Sequence, residues 1–257
     1  MDLADHTNEQ YQKKLYSLQC DPRNDKGARS PDNVALHCHW IHKTFSKKRY
    51  LRILDVGCGI GLYSHQLAKY GHQVVGIDIS AIVIKHAAKI SVNDRCSFIC
   101  GDIFDYNSPD KFDLILFTYS IFNTLSYQKG LALLQHLYGM QFSGGAFYIE
   151  ALCLNKETFE SGTKIQKECS HDDLFPEAEW VLRDIEWNNL EQSFEFRHYY
   201  QLNTKLEKTN LKLYAYSEQQ YKNLLIKAGW KTVDFVLLPP GAFDNAGLPY
   251  SAIIARS

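Results

Sequence analysis

An aspartate followed by three glycines spaced two apart, Asp55-Val56-Gly57-Cys58-Gly59-Ile60-Gly61, is the stretch whose residue types and spacing point most directly to chemistry. Positions without side chains let the backbone bend sharply and let a ligand lie against it. The dinucleotide fingerprint G-x-G-x-x-G requires a glycine where this chain has Leu62, which argues against a pyrophosphate seated on the helix that follows.

Two further acids stand at comparable places. Asp78 closes the apolar run Gln73-Val74-Val75-Gly76-Ile77. A carboxylate there can accept from both hydroxyls of an adenosine ribose, each such charged hydrogen bond contributing roughly 1.5–3 kcal/mol. Asp102 follows Cys96-Ser97-Phe98-Ile99-Cys100-Gly101 and can accept from an adenine amino group while Ile103 packs on the ring. Each acid also has a plainer role open to it, Asp78 as a helix cap and Asp102 as a polar turn residue. Together, three acids at the carboxyl ends of three successive strands mark the edge where open α/β sheets bind ligands.

The elements that must position these residues follow from periodicity. Apolar runs at 51–56, 73–78, 96–100, 112–117 and 145–152 read as buried strands. Helical patterns separate several of them: about 61–70, stopped by Gly71; a helix capped by Ser80 and carrying Ile82, Val83, Ile84, Ala87 and Ile90; and one capped by Ser126 and ending at Gly139. Ser30-Pro31-Asp32 opens an earlier helix reaching about Ser46, with Ser as N-cap and Pro at the first helical position. Residues 8–20 read as a further short helix bearing Tyr11 and Tyr16. This alternation calls for a largely parallel sheet covered on both faces. The pattern changes at 155–216, where strands follow one another at 179–187, 190–202 and 208–216 with a tight turn at Asn188-Asn189. Ser217-Glu218-Gln219-Gln220 is a capping box that returns the chain to helix, and strands at 230–238 and 250–255 complete it.

The expected architecture is a Rossmann-like, seven-stranded α/β sheet, mostly parallel with the last strand antiparallel, helices on both faces, and an antiparallel β cap inserted after strand five. Residues 1–50 form an N-terminal helical segment over the ligand site. Residues 51–154 and 217–257 form the main domain, and 155–216 the cap.

Composition narrows the function. Of 257 residues, 45% are hydrophobic and 22% charged, with a net charge of −1, the profile of a globular chain with a sizeable core. The densest basic cluster, Lys47-Lys48-Arg49, is too short for the basic stripe of a nucleic-acid binder. The polar start Met1-Asp2-Leu3-Ala4-Asp5-His6 lacks a signal-peptide pattern, and no apolar run approaches the ~18 residues that span a bilayer. Seven cysteines with no CxxC pair suit reduced thiols in the cytoplasm. The state expected is a monomer or homodimer.

These segments resemble class I S-adenosylmethionine-dependent methyltransferases, over about residues 50–152 and more loosely the final helix and strand pair. The resemblance implies that Gly57, Cys58, Gly59 and Gly61 hold the methionine end of S-adenosylmethionine, with Asp55 shaping the bend. It assigns Asp78 to the ribose and Asp102 and Ile103 to adenine, with Ile79 also among the cofactor-binding residues. Phe117 and Thr118 open the loop Thr118-Tyr119-Ser120-Ile121-Phe122-Asn123 beside the methyl group. Tyr16, with Tyr11, either closes over the cofactor or packs on the domain. The Asn/Asp-Pro-Pro-Tyr loop of amino-methylating DNA enzymes, the Pro-Cys of cytosine C5 enzymes and the double-Glu loop of arginine methyltransferases are absent. Small-molecule N- or O-methylation by in-line displacement remains.

Such a reaction relies on alignment, which contributes roughly 7–11 kcal/mol, and on a base only if the acceptor arrives protonated. Candidate groups near the methyl are Tyr119, Asn123 and Glu150 from strand ends, and Glu195, Arg197, His198 and Tyr199 from the cap. Glu150 could equally be structural, Arg197 an ion-pair partner across the sheet, and His198 a packing residue. In His37-Cys38-His39-Trp40-Ile41-His42 only Cys38 and His42 share a helix face, too few ligands for zinc, so no metal is expected. Other readings are a protein or RNA methyltransferase, a nicotinamide-dependent oxidoreductase, and a non-catalytic cofactor-binding module.

Overall fold

The computed structural model describes residues 30–47, 49–90, 94–154, 164–169, 179–202, 205–242 and 250–257. The expected helix at 8–20, with Tyr11 and Tyr16, lies outside the described residues.

Helix α1 (Pro31–Phe45) is capped by Ser30, whose side chain accepts from the Asn33 amide, with Pro at its start. Then come β1 (Arg52–Val56), α2 (Leu62–Lys69), β2 (Gln73–Asp78), α3 (Ala81–Ile90), β3 (Cys96–Cys100) and β4 (Phe112–Phe117). A 3-10 turn (Ile121–Thr124) leads to α4 (Tyr127–Gly139) and the long strand β5 (Gln141–Leu154). Strands β6 (Lys164–Cys169), β7 (Trp180–Asn188), β8 (Ser193–Leu202) and β9 (Lys205–Tyr214) form the cap, and β10 (Tyr216–Ser217), α5 (Glu218–Ala228), β11 (Thr232–Val236) and β12 (Tyr250–Arg256) return to the main sheet.

The main sheet runs β11-β12-β5-β4-β1-β2-β3. β1, β2, β3, β4 and β5 pair in parallel, and β12 is antiparallel to both β5 and β11. An eighth, two-residue strand, β10, pairs with the end of β5; the pattern did not signal it because it is shorter than any periodicity. The order reverses between β1 and β4, and a ligand crevice belongs at that switch point.

Side-chain alternation divides the core into two layers. Leu54, Val56, Ile115, Phe117, Phe147 and Ile149 face one side, against α4 and α5 through Leu133, Leu137, Tyr221 and Leu224. Ile53, Leu114, Leu116 and Tyr148 face the other, against α1 and α2 through Val34, Cys38, Ile41, Tyr63 and Leu67. The spacing of Val34, His37, Cys38 and Ile41 is one helical stripe, and all are buried.

The cap is a separate antiparallel sheet, β6-β7-β8-β9. Its first strand, β6, was not expected, and its β7–β8 connection is the four-residue turn 189–192, bounded by the Asn188–Ser193 pair. Asn188 Oδ1 accepts from the amides of Leu190 and Glu191, shaping the turn. Trp187, Phe194 and Leu213 bury one cap face against Leu152. The capping box at α5 forms as expected. Ser126 is the N-cap of α4 but makes no side-chain capping bond.

Candidate functional site

β1 points alternate residues to opposite layers, so Asp55 faces α2 with Ile53. Its carboxylate accepts from the Ser64 hydroxyl at 2.6 Å, fully buried. Burial raises its pKa to about 6, with Ser64 opposing and the Asp78 charge adding. Asp55 is thus an anchor between strand and helix beneath the bend, and its side chain does not open to solvent.

The bend has left-handed backbone at Gly57 (φ 69°), Gly59 (φ 54°) and Gly61 (φ 78°), a region most L-residues avoid. The amides of Gly57 and Cys58 donate to Ile77 O at 2.8 and 3.1 Å, tying the bend to β2. The Gly59 amide donates to Asp78 Oδ2 at 2.9 Å and the Ser80 amide to Asp78 Oδ1 at 2.9 Å. Burial pushes the Asp78 carboxyl up, and these two amides oppose it. A Cβ at Gly57 would lie 2.3 Å from Ile121 Cδ1, and one at Gly61 2.8 Å from the Phe98 ring. At Gly59 and Gly101 it would meet nothing within 4 Å. Two of the glycines therefore serve packing, while Gly59 faces open space beside Asp78.

Asp102 turns its Oδ1 to the Phe104 amide at 2.9 Å, closing a short turn after β3. Ile79, next to Asp78, is 62% exposed, and Ile103 is half-buried against the core. An exposed isoleucine directly after Asp78, at the end of β2, offers an apolar surface that suits one face of a planar ring.

After β4 the backbone does something the sequence did not signal. Tyr119 (φ 56°) and Ser120 (φ 55°) are consecutive left-handed residues that are not glycine. The Tyr119 amide donates to Glu150 Oε2 at 2.7 Å. Glu150 lies on β5, fully buried, on the same face as Tyr148. Its Oε1 lies 3.4 Å from the Tyr148 hydroxyl and 3.3 Å from His37 Nδ1. The His37 ring bridges two tyrosines, Nδ1 to Tyr63 Oη at 2.7 Å and Nε2 to Tyr148 Oη at 2.8 Å. Burial lowers the His37 pKa to about 3, so the ring is neutral, and either neutral tautomer supports the bridge. Burial also pushes the Tyr63 and Tyr148 hydroxyls well up.

Of the residues expected near the methyl, the structure joins Tyr119 to Glu150. Asn123 is occupied elsewhere: its Nδ2 donates to Tyr214 O at 2.5 Å and to Tyr221 Oη at 2.8 Å, and its Oδ1 accepts from the Leu152 amide at 3.0 Å. It ties the post-β4 loop to β5, the cap and α5. Phe117 sits in the core against Phe122 and Phe147, so it and its buried neighbour Thr118 can offer mainly backbone to a ligand.

On the cap, neighbouring residues of β8 point to opposite faces. Arg197 Nη1 pairs with Asp184 Oδ2 at 2.9 Å, and Nη2 pairs with Glu195 Oε2 at 2.9 Å and with Glu186. Asp184 is its directly opposite residue on β7. His198 Nδ1 lies 3.2 Å from Tyr200 Oη on the other face. Tyr199 takes Lys208 over its ring at 5.5 Å. Arg197 and His198 therefore cannot face one acceptor from the same side of the sheet.

The His37–His42 run disperses as helix geometry requires. His37 turns inward to the tyrosines, His42 stacks on Tyr70 with ring centroids 4.6 Å apart, and His42 Nδ1 meets His72 Nε2 at 3.1 Å. Among the described residues no group of three or more His, Cys, Asp or Glu is placed to hold a metal.

The open Cβ direction at Gly59, the carboxylate of Asp78 and the exposed Ile79 stand together at the carboxyl ends of β1 and β2. Fold and site together define a Rossmann-like domain of the class I methyltransferase kind. The chain belongs to the methyltransferase domain family, which it matches over residues 47–225. It is 33% identical over 144 residues to malonyl-[acyl-carrier protein] O-methyltransferase 1 of Ilyobacter polytropus, covering 52% of each chain. It spans about half the length of that relative and of a sterol 4-C-methyltransferase of Caenorhabditis elegans, of which it covers 54%. Among solved structures, the CcbJ methyltransferase of Streptomyces caelestis superposes with TM-score 0.70 at 15% identity, over 96% of this chain and 97% of that one. An amino pentose methyltransferase of Micromonospora echinaspora, solved with S-adenosylmethionine bound, gives 0.64 at 16% identity, over 95% and 97%. At such identity these likenesses speak to fold, and they extend over nearly the whole chain, cap included.

Proposed function

We propose that the protein transfers a methyl group from S-adenosylmethionine to a nitrogen or oxygen of a small-molecule acceptor. The observation that carries this reading is the Gly59–Asp78 contact, where the glycine bend after β1, the strand beside the switch point, meets the carboxylate that closes β2. Supporting it are membership of the methyltransferase domain family and, among relatives, enzymes named for acting on small or carrier-bound acceptors.

S-adenosylmethionine, when bound, supplies a methyl already activated on a sulfonium. The protein's own residues then bind and orient. Gly59 leaves room for the methionine end, and Gly57, Cys58 and Gly61 shape the bend that receives it. Asp78 keeps lone pairs for two ribose hydroxyls beyond the two amides it already accepts. Asp102, Ile79 and Ile103 take the base. Tyr119 stands at the methyl side. The cap encloses the acceptor, and Arg197 contributes by holding the cap's charged face together.

The domain division follows from this reading: 51–154 and 217–257 bind the donor and 155–216 cover the acceptor, while Tyr16 lies outside the described residues. No helix among the described residues is long and apolar enough to cross a membrane. The free thiols of Cys38, Cys58, Cys96, Cys100 and Cys153 support a reducing, cytoplasmic setting. We assign no nucleic-acid partner, and a monomer or homodimer.

Calorimetric titration with S-adenosylmethionine and S-adenosylhomocysteine tests the reading. Micromolar binding of both is expected, and binding of neither would overturn it.

A further inference from the structure

Resting on the donor reading above, we propose that Glu150 is a positioning residue: its buried carboxylate holds the left-handed Tyr119–Ser120 turn that forms the methyl side of the donor site. Two adjacent residues other than glycine in left-handed backbone do not stay there unaided, since that conformation is disfavoured for each of them. The Tyr119 amide is the group that this conformation turns toward β5, and Glu150 Oε2 receives it at 2.7 Å.

The carboxylate is itself held. Tyr148, two residues earlier on the same face of β5, places its hydroxyl 3.4 Å from Oε1, and His37 from α1 places Nδ1 3.3 Å away. His37 is fixed in turn between Tyr63 of α2 and Tyr148. The Tyr63 ring also meets the Tyr119 ring edge-on, centroids 5.7 Å apart. The turn is thus gripped at its backbone by β5 and at its side chain by α2, and α1 locks both grips together. Glu150 is fully buried, which suits a group acting through Tyr119 more than one meeting an acceptor.

The role predicts a rescue that general destabilisation does not. Glycine adopts left-handed backbone without strain, so a glycine at 119 relieves the residue whose amide the clamp holds and makes the clamp count for less. S-adenosylhomocysteine and S-adenosylmethionine are titrated by calorimetry into the wild type, Glu150→Gln, Tyr119→Gly and the double variant. Weakening by Glu150→Gln of about tenfold in the wild-type background is expected, and under twofold in the Tyr119→Gly background. Equal losses in both backgrounds, or none in either, overturn the proposal while leaving the donor reading intact. Failure of the wild type to bind either compound overturns the donor reading instead. Should Glu150→Gln not fold, Tyr148→Phe, which removes the hydroxyl between His37 and Glu150 and keeps the ring, carries the same comparison with the same two outcomes.

Discussion

The Gly59 amide donates to Asp78 Oδ2 at 2.9 Å across the gap between the β1–α2 bend and the end of β2. One carboxylate therefore stiffens the bend, and it is the group proposed to receive the ribose. Asp78→Ala is expected to weaken S-adenosylhomocysteine binding by roughly 2–3 kcal/mol, or about 30- to 150-fold. Calorimetry reads this directly. An unchanged dissociation constant would remove the ribose role. Thermal unfolding should fall slightly too, since the Gly59 and Ser80 amides lose their acceptor.

Gly57 and Gly59 separate packing from binding. Gly57→Ala meets both a positive φ and a Cβ 2.3 Å from Ile121 Cδ1, so a stability loss of about 2–4 kcal/mol is expected. Gly59→Ala meets the φ penalty alone, its Cβ entering open space, and about 1 kcal/mol is expected. Its Cβ occupies the room proposed for the donor, so affinity should drop at least about tenfold. Urea melts paired with titration of S-adenosylhomocysteine distinguish the two variants.

Two buried groups titrate with opposite effect. His37 falls from 6.5 to about 3 through burial. The unfolded chain takes up that proton near 6.5 and the folded one only near 3, so the contribution of neutral His37 is complete above 6.5 and lost as the pH drops through this window, on the order of 5 kcal/mol in all. Asp55 rises from 3.8 to about 6, chiefly through burial. Its contribution is present below 3.8 and lost as the pH rises through 6. Urea unfolding at pH 4, 5.5 and 8 should show His37→Gln with a flatter acid limb than wild type. Asp55→Asn should gain stability relative to wild type by about 2 kcal/mol between pH 4 and 8. A parallel offset at all three pH values would refute both assignments.

Arg197 binds Asp184, Glu186 and Glu195. Arg197→Ala leaves Asp184, whose side chain is 5% exposed, beside two other acids without their shared cation. The cap should lose about 2 kcal/mol and become a site of limited proteolysis, while S-adenosylhomocysteine affinity stays within twofold. A large loss of donor affinity would mean that Arg197 acts on the donor itself.

Local order was plain in the sequence where one short segment carries its own instruction. β2, β3 and β4 begin and end where the apolar runs do, α5 opens at its capping box, and Gly71 stops α2 with φ 90°. Asp55, Gly57, Gly59 and Gly61 announced the bend because residue type and spacing there are the constraint itself. The cap was legible as antiparallel. Its first strand β6 was not anticipated, and its turn came out longer, because that register depends on partners.

What the sequence alone determined is therefore the order of elements and a bend able to receive a ligand, since periodicity and glycine act within a few residues. Only the tertiary structure decided that His37 is a bridge between Tyr63 and Tyr148 and that Glu150 reaches the Tyr119 amide. Those partners lie 26, 111 and 31 residues apart. No local preference specifies a hydrogen bond across such distances; it arises when two layers close on one sheet and each buried polar atom must find a partner.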